Sequence, residues 1–380
     1  MKAQENNKTS LLEIAKLFLK LGIIGFGGPP VHIALMEQEV VVKRKWFTHE
    51  HFLDMVGATN LIPGPNSTEM CMHCGHERAG WKGLIVAGLC FILPAVIITG
   101  IIAYLYQQYG ALPQVEPFLY GIKPAIIGVI AGLMISLGKK ALKSFELGLI
   151  GTAAAILVLF GVNEILVLFG AGLTGIIVSM INGSRLNVFG ISIVLLQIVS
   201  KPDVNSNAWK IFWIFLKVGA ILYGSGYVLF AFLDTELVSR GLLTRQQLVD
   251  AIAVGQFTPG PIFSSATFIG WQIHGWSGAV AATIGIFLPS FCLAALLNRL
   301  IPFLRHSRIM SAFLDAVNMA SVAIILAVCV DIGKAAILDW KTTLIAIAGF
   351  VVCIVFKKIN TAFIILGGAV AGYLLSMVYV

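Results

Sequence analysis

The chain has 380 residues, of which 58% are hydrophobic and only 12% are charged, and its mean hydropathy is +0.93. This composition excludes a soluble globular domain, because the polar residues are too few to cover an apolar core of that size, and it predicts a polytopic membrane protein. The formal net charge of +8 does not indicate a nucleic-acid partner, because the basic residues lie in short clusters between apolar runs.

The first apolar segments are too interrupted to be simple membrane-spanning helices. Residues 11–36 contain a Gly-Gly-Pro-Pro break, and Thr48 predicts the N-cap of a helix that must stop at Pro63. About 13 residues cannot cross the hydrocarbon layer. Pro65 suits the first turn of a new helix, which extends to about Gly80. The pattern predicts half-helices that meet within the membrane, where irregular backbone is tolerated only against protein or a water-filled cavity.

The remaining apolar runs predict membrane-spanning helices. Runs long enough to cross about 30 Å of hydrocarbon lie at 83–105, 118–137, 277–298, 313–332 and 360–380. Residues 147–161 and 165–181 predict a tight helical hairpin, and 342–356 is expected to pair with the last helix.

Much of the first half is repeated about 197 residues later. Residues 18–28 return at 215–225, and Pro63-Gly64-Pro65 returns as Pro259-Gly260-Pro261. In an apolar chain, matching helix breaks in two halves are the pattern of a secondary transporter, whose site lies where the broken helices of the two repeats meet. The predicted division is a first repeat at 1–185, a linker at 186–208 and a second repeat at 209–380.

Charge indicates the orientation of the first half only. Basic residues at 43–45 and 139–143 fall on one side of the membrane, whereas the loops 106–117 and 162–164 contain no Lys or Arg, so the basic side is predicted to be cytoplasmic. In the second half the numbers of Lys and Arg residues on the two sides of the membrane are nearly equal. If residues 186–200 cross the membrane, the second half is inverted, and if they lie in the interface, the halves are parallel. We expect them to cross.

Several motifs then point to a family. They are Phe26-Gly-Gly-Pro29, Arg44-x-Trp46, Asn60-Leu-Ile-Pro-Gly-Pro65, Arg78-Ala-Gly-Trp81 and Phe91-Ile-Leu-Pro94, followed by Asp250-Ala-Ile-Ala-Val-Gly-Gln-Phe-Thr-Pro-Gly-Pro261 and Gly285-Ile-Phe-Leu-Pro-Ser290. Together they resemble the two-domain form of the chromate ion transporter family over nearly all of the chain. The resemblance implies a multi-pass carrier of the prokaryotic inner membrane that expels chromate, driven by the membrane potential or the proton gradient, with antiparallel halves.

The breaks also supply a candidate anion site. Helix N-termini offer N–H groups and partial positive charge to an oxyanion, neighbouring hydroxyls add neutral donors, and an intramembrane lysine indicates a substrate path. The alternatives are that the Gly and Pro residues only shape kinks and packing, and that the lysines reach to the interface. The predicted substrate-binding residues are Lys20, Gly27, Gly28, Pro29, Pro63, Gly64, Pro65, Asn66, Ser67, Thr68, Lys217, Gly224, Pro259, Gly260, Pro261, Ser264 and Ser265.

Gating and coupling residues are predicted beside these breaks. Arg44 and Arg240 recur before the half-helix pairs, and Asp54 and Asp250 recur on their second turns, so a salt bridge closing the mouth and a permanent structural pair fit equally well. Glu69, one turn after Pro65, is predicted to carry the coupling proton beside the substrate. The alternative is a fixed carboxylate paired with Lys82 or with a helix dipole.

The function predicted from the sequence is secondary active transport of a divalent oxyanion, with chromate efflux first and sulfate or another oxyanion as the alternative. An alternative of another class is a membrane enzyme that uses Cys71, His73, Cys74 and His76, although their spacing fits no standard zinc pattern. No cofactor and no metal is expected, since no nucleotide loop or haem motif is present. The expected partners are the small oxyanion and the lipid bilayer, and a homodimer is left open.

Overall fold

The computed structural model describes residues 9–110, 112, 115–181, 207–223, 226, 228–304, 307–356 and 359–377. Within these residues every regular element is helical, which confirms the all-α prediction. The first half contains α1 (Leu11–Ile24), α2 (Pro29–Glu37), α3 (His49–Thr59), α4 (Asn66–Tyr109), α5 (Glu116–Ala141), α6 (Phe145–Leu159) and α7 (Glu164–Ile181). The second contains α8 (Ala208–Ile221), α9 (Val228–Leu233), α10 (Arg245–Phe257), α11 (Ser265–Leu304), α12 (Arg308–Ala336), α13 (Trp340–Val355) and α14 (Thr361–Met377).

The short helices begin and end where local sequence dictates. Thr48 caps α3 through its side chain, and Thr244 caps α10 in a capping box with Gln247, so that backbone N–H groups of the first turns are paired. Both helices end just before a Pro-Gly-Pro turn, as predicted. Short π-helical turns, Gln38–Lys43 and Asp234–Val238, follow α2 and α9 at matching places in the two halves.

The two longest helices are hairpins rather than straight rods. The backbone of α4 leaves helical geometry at Ala79 and Gly80, where Gly80 has φ +61°, and α11 does the same at His274 and Gly275, where Gly275 has φ +58°. These are the ends that the sequence predicted for the half-helices. After each turn the chain runs back against itself, so close that a Cβ added at Gly75 would meet the backbone of Gly83.

Five helices of the described chain are long and apolar enough to cross a membrane. They are α4, α5, α7, α11 extended from Ile262, and α12, while α6, α13 and α14 are shorter apolar helices. The polytopic membrane architecture predicted from composition is therefore confirmed, and within the described residues each predicted apolar run overlaps one of these helices.

The two hairpin turns lie at opposite ends of the bundle. Arg78, next to the first turn, donates a hydrogen bond to Thr9 ahead of α1, at 2.7 Å. Trp271, close to the second turn, donates to Gln107 at the far end of α4, at 2.8 Å. The arm 81–109 separates these two points by roughly 40 Å. The broken helices of the two halves therefore enter from opposite ends, whereas the predicted crossing at 186–200 lies outside the described residues.

The halves are interleaved in space. Helix α5 packs against α13 and α14 of the other half, α12 packs against α6 and α7, and the hairpins α4 and α11 contact each other. Gly121 allows a close approach of α5 to α14, because a Cβ there would meet the backbone of Gly368 and Gly372. The two halves therefore form one interleaved bundle that includes the broken helices.

Candidate functional site

The Pro-Gly-Pro turn of each half is hydrogen-bonded to the other half. Gly64 donates its N–H to the carbonyl oxygen of Leu222 at 2.8 Å, and Gly260 donates to that of Gly25 at 2.7 Å. Leu222 and Gly25 follow the last residues of α8 and α1. Two equivalent contacts therefore join the four helix breaks in two pairs, each with one break from either half, and they satisfy backbone groups that lipid could not.

Both central glycines are required by backbone conformation and by space. Gly64 has φ +136° and Gly260 has φ +93°, values that favour glycine. A Cβ at Gly64 would lie 2.7 Å from the Ser290 hydroxyl, and a Cβ at Gly260 would lie 2.9 Å from the Cβ of Ala95. Each turn is thus pressed against the long helix of the opposite half.

A cavity of about 1070 Å³ opens from this junction. One wall is formed by α2, α3 and the start of α4, and the opposite wall by α5 and α12, which extend to Lys140 and Asp315 at the mouth. The polar and break residues on its surface are Gly27, Gly28, Pro29, His32, Glu37, Asn60, Pro65, Asn66, Ser67, Ser136, Lys140, Lys143, Gly226, Pro261, Ser307, Ser311, Asp315, Asn318 and Ser321.

Apart from Lys20 and Lys217, the described substrate residues predicted from the sequence divide into two groups. Seven of them line the cavity, namely Gly27, Gly28, Pro29, Pro65, Asn66, Ser67 and Pro261. Others are buried outside its wall, namely Pro63, Gly64, Thr68, Pro259, Gly260, Ser264 and Ser265. Gly224 lies outside the described residues.

The helix N-termini predicted at Pro29, Pro65 and Pro261 differ in the amide donors that they offer to the cavity. Helix α2 begins with Pro29 and Pro30, which have no N–H, and the next two amides are bonded to Gly28. After Pro261 the chain forms a 3₁₀ turn, Ile262–Ser264, before α11 begins. In α4 the amides of Thr68 and Glu69 are bonded to Pro65, so the preceding amides of Asn66 and Ser67 are the donors that face outward.

Glu69 is fully buried and does not line the cavity. Its carboxylate lies beneath Gly64 and beside Ser290, although the carboxylate and the hydroxyl are not aligned as a hydrogen bond. Within the described residues, the hydroxyls of Thr68, Ser264, Ser265 and Ser290 have no hydrogen-bond partner either. The junction behind the cavity therefore contains several described polar side chains without a hydrogen-bond partner, which is uncommon in a protein interior.

The two predicted lysines are bonded to carboxylates and are absent from the cavity wall. Lys20 contacts Glu39 at 3.0 Å, and Lys217 contacts Glu236 at 2.6 Å. Glu39 also accepts from Lys43 and Arg44, and Glu236 accepts from Arg240.

Burial opposes ionisation of Glu39, but hydrogen bonds from Lys43, Lys20 and Arg44 outweigh it and lower the pKa of this carboxyl to about 2. Sequence reasoning missed both carboxylates. The available signal was that Glu39 and Glu236 are separated by the same 197 residues as the lysines.

The two predicted aspartates have different surroundings. Asp250 is buried, lies 3.4 Å from Lys123 and accepts a hydrogen bond from Tyr106 at 2.6 Å. Asp54 lies on the exposed side of α3. The equivalent helices α3 and α10 therefore have different packing. Helix α10 is packed against α5, α12 and α14, whereas α3 borders the cavity.

His32 is a cavity residue that sequence reasoning did not find. It is 2% exposed, and its ring nitrogens lie 2.9 Å from the carbonyl oxygen of Gly25 and 3.2 Å from the hydroxyl of Ser67. The position separated from it by 197 residues is Leu229, so the internal repeat gave no signal.

The Cys/His motif is dispersed in the structure. Cys71 donates to the carbonyl oxygen of Ala87 at 3.2 Å, and the His76 ring meets the edge of Trp81. Among the described residues, no group of three or more His, Cys, Asp or Glu side chains is placed to hold a metal ion.

Comparison with known proteins assigns the chain to a family. The model of the family described as Chromate transporter matches residues 12–176 and 209–373, which together are most of the chain. The chain belongs to the chromate transporter family.

Two full-length relatives of this chromate transporter family member are named as chromate transport proteins. A probable chromate transport protein of Synechococcus elongatus is 29% identical, with 96% of this chain and 95% of the relative covered. A chromate transport protein of Cupriavidus metallidurans is 26% identical, with 96% and 92% covered. An uncharacterized transporter of Bacillus subtilis, YwrB, is 34% identical over 35% of this chain and 68% of its own length. No solved structure matches the chain.

Membership of this family, together with the apolar helices, identifies an ion transporter that crosses the membrane several times. It also supports the prediction that the chain is a transporter and not an enzyme.

Proposed function

We propose that this protein is a secondary active transporter that moves chromate out of the cell across the inner membrane. The observation that carries the proposal is the cavity that ends at the meeting point of the four helix breaks. Asn66 and Ser67 at the start of α4 line it, and their amides precede the first bonded amide of that helix, that of Thr68. Family membership and the names of the full-length relatives support chromate as the substrate.

The inner end of the cavity has the chemistry of an oxyanion site. The amides of Asn66 and Ser67 point outward at a helix N-terminus, where the helix dipole favours negative charge. The Asn66 side chain is fixed by a hydrogen bond to Asn60 across the turn. The Gly27-Gly28 backbone opposite them leaves room for close approach. Neutral donors suit a dianion that must be released again, because each can be exchanged for water.

The unequal packing of α3 and α10 supports alternating access. In the second half, α10 is packed against α5 through the buried Asp250–Lys123 pair, while in the first half the space between α3 and α12 is the cavity itself. Because the halves are homologous and enter from opposite ends, exchanging the packing of α3 and α10 would close this cavity and open an equivalent one at the other end.

The charged mouth of the cavity supports efflux as the direction of transport. Lys140 and Lys143 lie at the opening, and the first-half loops that carry them are predicted to be cytoplasmic. A cavity open to the cytoplasm loads the anion from inside, which is what efflux requires. Asp315 lies 2.7 Å from Lys143, so the mouth carries both signs of charge.

Radiolabelled chromate uptake into everted membrane vesicles tests this function. We expect uptake that depends on an imposed potential or proton gradient, collapses with an uncoupler and is competed by unlabelled chromate. Ser67→Ala should lower uptake at least tenfold, because the hydroxyl is a donor to a charged ligand. Thr152→Ala is the matched control, since Thr152 is an exposed α6 hydroxyl bonded within its own helix. Uptake driven only by the chromate gradient would indicate a channel. Stronger competition by sulfate than by unlabelled chromate would identify sulfate as the preferred substrate.

A further inference from the structure

His32 joins three parts of the anion site. Its ring contacts Gly25 at the end of α1 and Ser67 at the start of α4, and it lies at an edge-on angle to the Phe91 ring. The Gly25 carbonyl that it contacts also accepts the N–H of Gly260 from the other half. The imidazole is thus a buried, cavity-lining group attached to the same junction as the proposed donors.

The hydrogen-bond network assigns one tautomer to the neutral ring. A carbonyl oxygen can only accept, so Nε2 of His32 carries the proton and donates it to Gly25. Nδ1 is then the acceptor, and the Ser67 hydroxyl donates its proton to it. In this state the Ser67 proton points at the histidine and is withheld from the cavity.

Protonation of the ring reverses the second hydrogen bond. Both nitrogens of the imidazolium are donors, so Nδ1–H donates to Ser67, whose own proton becomes available to a ligand. A dianion at the first turn of α4 accepts that proton in a hydrogen bond, and its charge favours the imidazolium nearby. Anion binding and proton binding therefore support each other at this position.

We propose that His32 is a proton-carrying residue of the oxyanion site, which takes up a proton when the anion binds and thereby turns Ser67 into a donor. This inference deepens the transport function proposed above and depends on it. The proton moves from solvent to Nδ1 of His32, and the Ser67 hydroxyl only rotates, so no covalent bond to the anion forms or breaks.

Other charged groups surround this position, on the helix that carries His32 and on those packed around it. They are Glu37 on α2, paired with His49 of α3; Lys20 on α1 and Glu39 after α2, paired with each other; Glu69 on α4; and, across the cavity, Lys140 on α5, Lys143, and Asp315 on α12. Glu69 is the competing proton carrier, because it lies on the same turn as Ser67 without a well-aligned partner.

The test measures chromate binding and proton uptake together on purified full-length protein. Titrations in weakly buffered detergent solution above neutral pH, where chromate itself is a dianion, give the affinity and the protons taken up per anion. For the wild type we expect about one proton per anion and an affinity that falls up to tenfold per pH unit. His32→Gln, which can still donate to Gly25, should bind chromate with no proton uptake and a flat pH profile.

Two further variants separate the outcomes. Glu69→Gln should retain proton uptake, and Ser67→Ala should lose roughly tenfold or more in affinity while proton uptake remains. Loss of uptake in Glu69→Gln with retention in His32→Gln assigns the proton to Glu69 and overturns the inference. The inference is also overturned if chromate binds but neither the wild type nor any variant takes up a proton. If the wild type binds no chromate at any pH, the transport function itself fails.

Discussion

At the scale of single residues, Glu39 and Glu236 explain how charged side chains are accommodated near the broken helices. Each is at most 5% exposed and accepts hydrogen bonds from the lysine on α1 or α8 and from an arginine a few residues after the glutamate. A buried carboxylate shared by several cations is stable only as a set, because removing one member leaves unbalanced charge. Lys20 and Lys217 therefore have a structural partner, and their predicted role along the anion path stays a prediction.

Replacing Glu39 by Gln should destabilise the protein without changing chromate affinity. Lys20, Lys43 and Arg44 would then repel one another. Because both lysines are half exposed, the loss in unfolding free energy should be roughly 1–2 kcal/mol, less than for a fully buried pair. The pKa of Glu39 is about 2 in the folded protein against 4.5 in the unfolded chain, so its stabilisation is complete above about pH 4.5 and is lost as the pH falls towards 2.

Thermal unfolding in detergent between pH 5 and pH 2.5 measures this effect. The Glu39→Gln variant should show a shallower acid dependence than the wild type, and Glu50→Gln, an exposed carboxylate on α3, should match the wild type. If thermal unfolding of the wild type and of the Glu39→Gln variant depends on acid in the same way, the Glu39 carboxylate does not contribute to stability as argued.

At the scale of helices, glycine serves two distinct purposes that mutation can separate. Gly64 has a positive φ and no space for a Cβ, whereas Gly80 has φ +61° and nothing within 4 Å of an added Cβ. Gly80→Ala should therefore cost about 1–2 kcal/mol of backbone strain alone. Gly64→Ala adds a clash with Ser290 and Glu69 and should prevent correct assembly of the junction.

Size-exclusion profiles and chromate binding of the two variants check this prediction. We expect Gly80→Ala to remain monodisperse and to bind chromate, and Gly64→Ala to aggregate or lose binding. Equal behaviour of the two variants would mean that backbone strain alone determines the effect of each substitution. The contact between the halves at Gly64 would then not be required.

The positions of the helix ends were predictable because the residues at those positions determine them. Thr48 and Thr244 provide caps, and Pro63, Pro259, Gly80 and Gly275 interrupt the backbone wherever they occur. Their partners were not predictable, because a cross-half hydrogen bond such as Gly64 to Leu222 depends on how distant segments pack. His32 was missed for a related reason, since its contacts with Gly25 and Ser67 arise only after the breaks have met.

At the scale of the whole molecule, the space between α3 and α12 should open and close during transport. Asn60 and Asn318 line opposite walls of that space. Cysteines at these two positions, in a background without the six native cysteines, should allow a flexible bis-thiol reagent to hold the walls at a fixed distance. Transport should then fall at least tenfold, whereas each single-cysteine variant treated with the reagent should retain activity. Undiminished transport by the bridged protein would exclude closure between these walls.

The cross-half hydrogen bonds also have a consequence for the order of synthesis. The amide of Gly64 enters the membrane long before residue 222 has been translated, and an unpaired amide in hydrocarbon costs several kcal/mol. The newly made first half must therefore keep its break in contact with water, the translocation machinery or lipid headgroups until the second half arrives. Ribosome-bound chains that end before residue 222 should accordingly be cleaved by added protease near Gly64, and chains extended beyond residue 260 should resist.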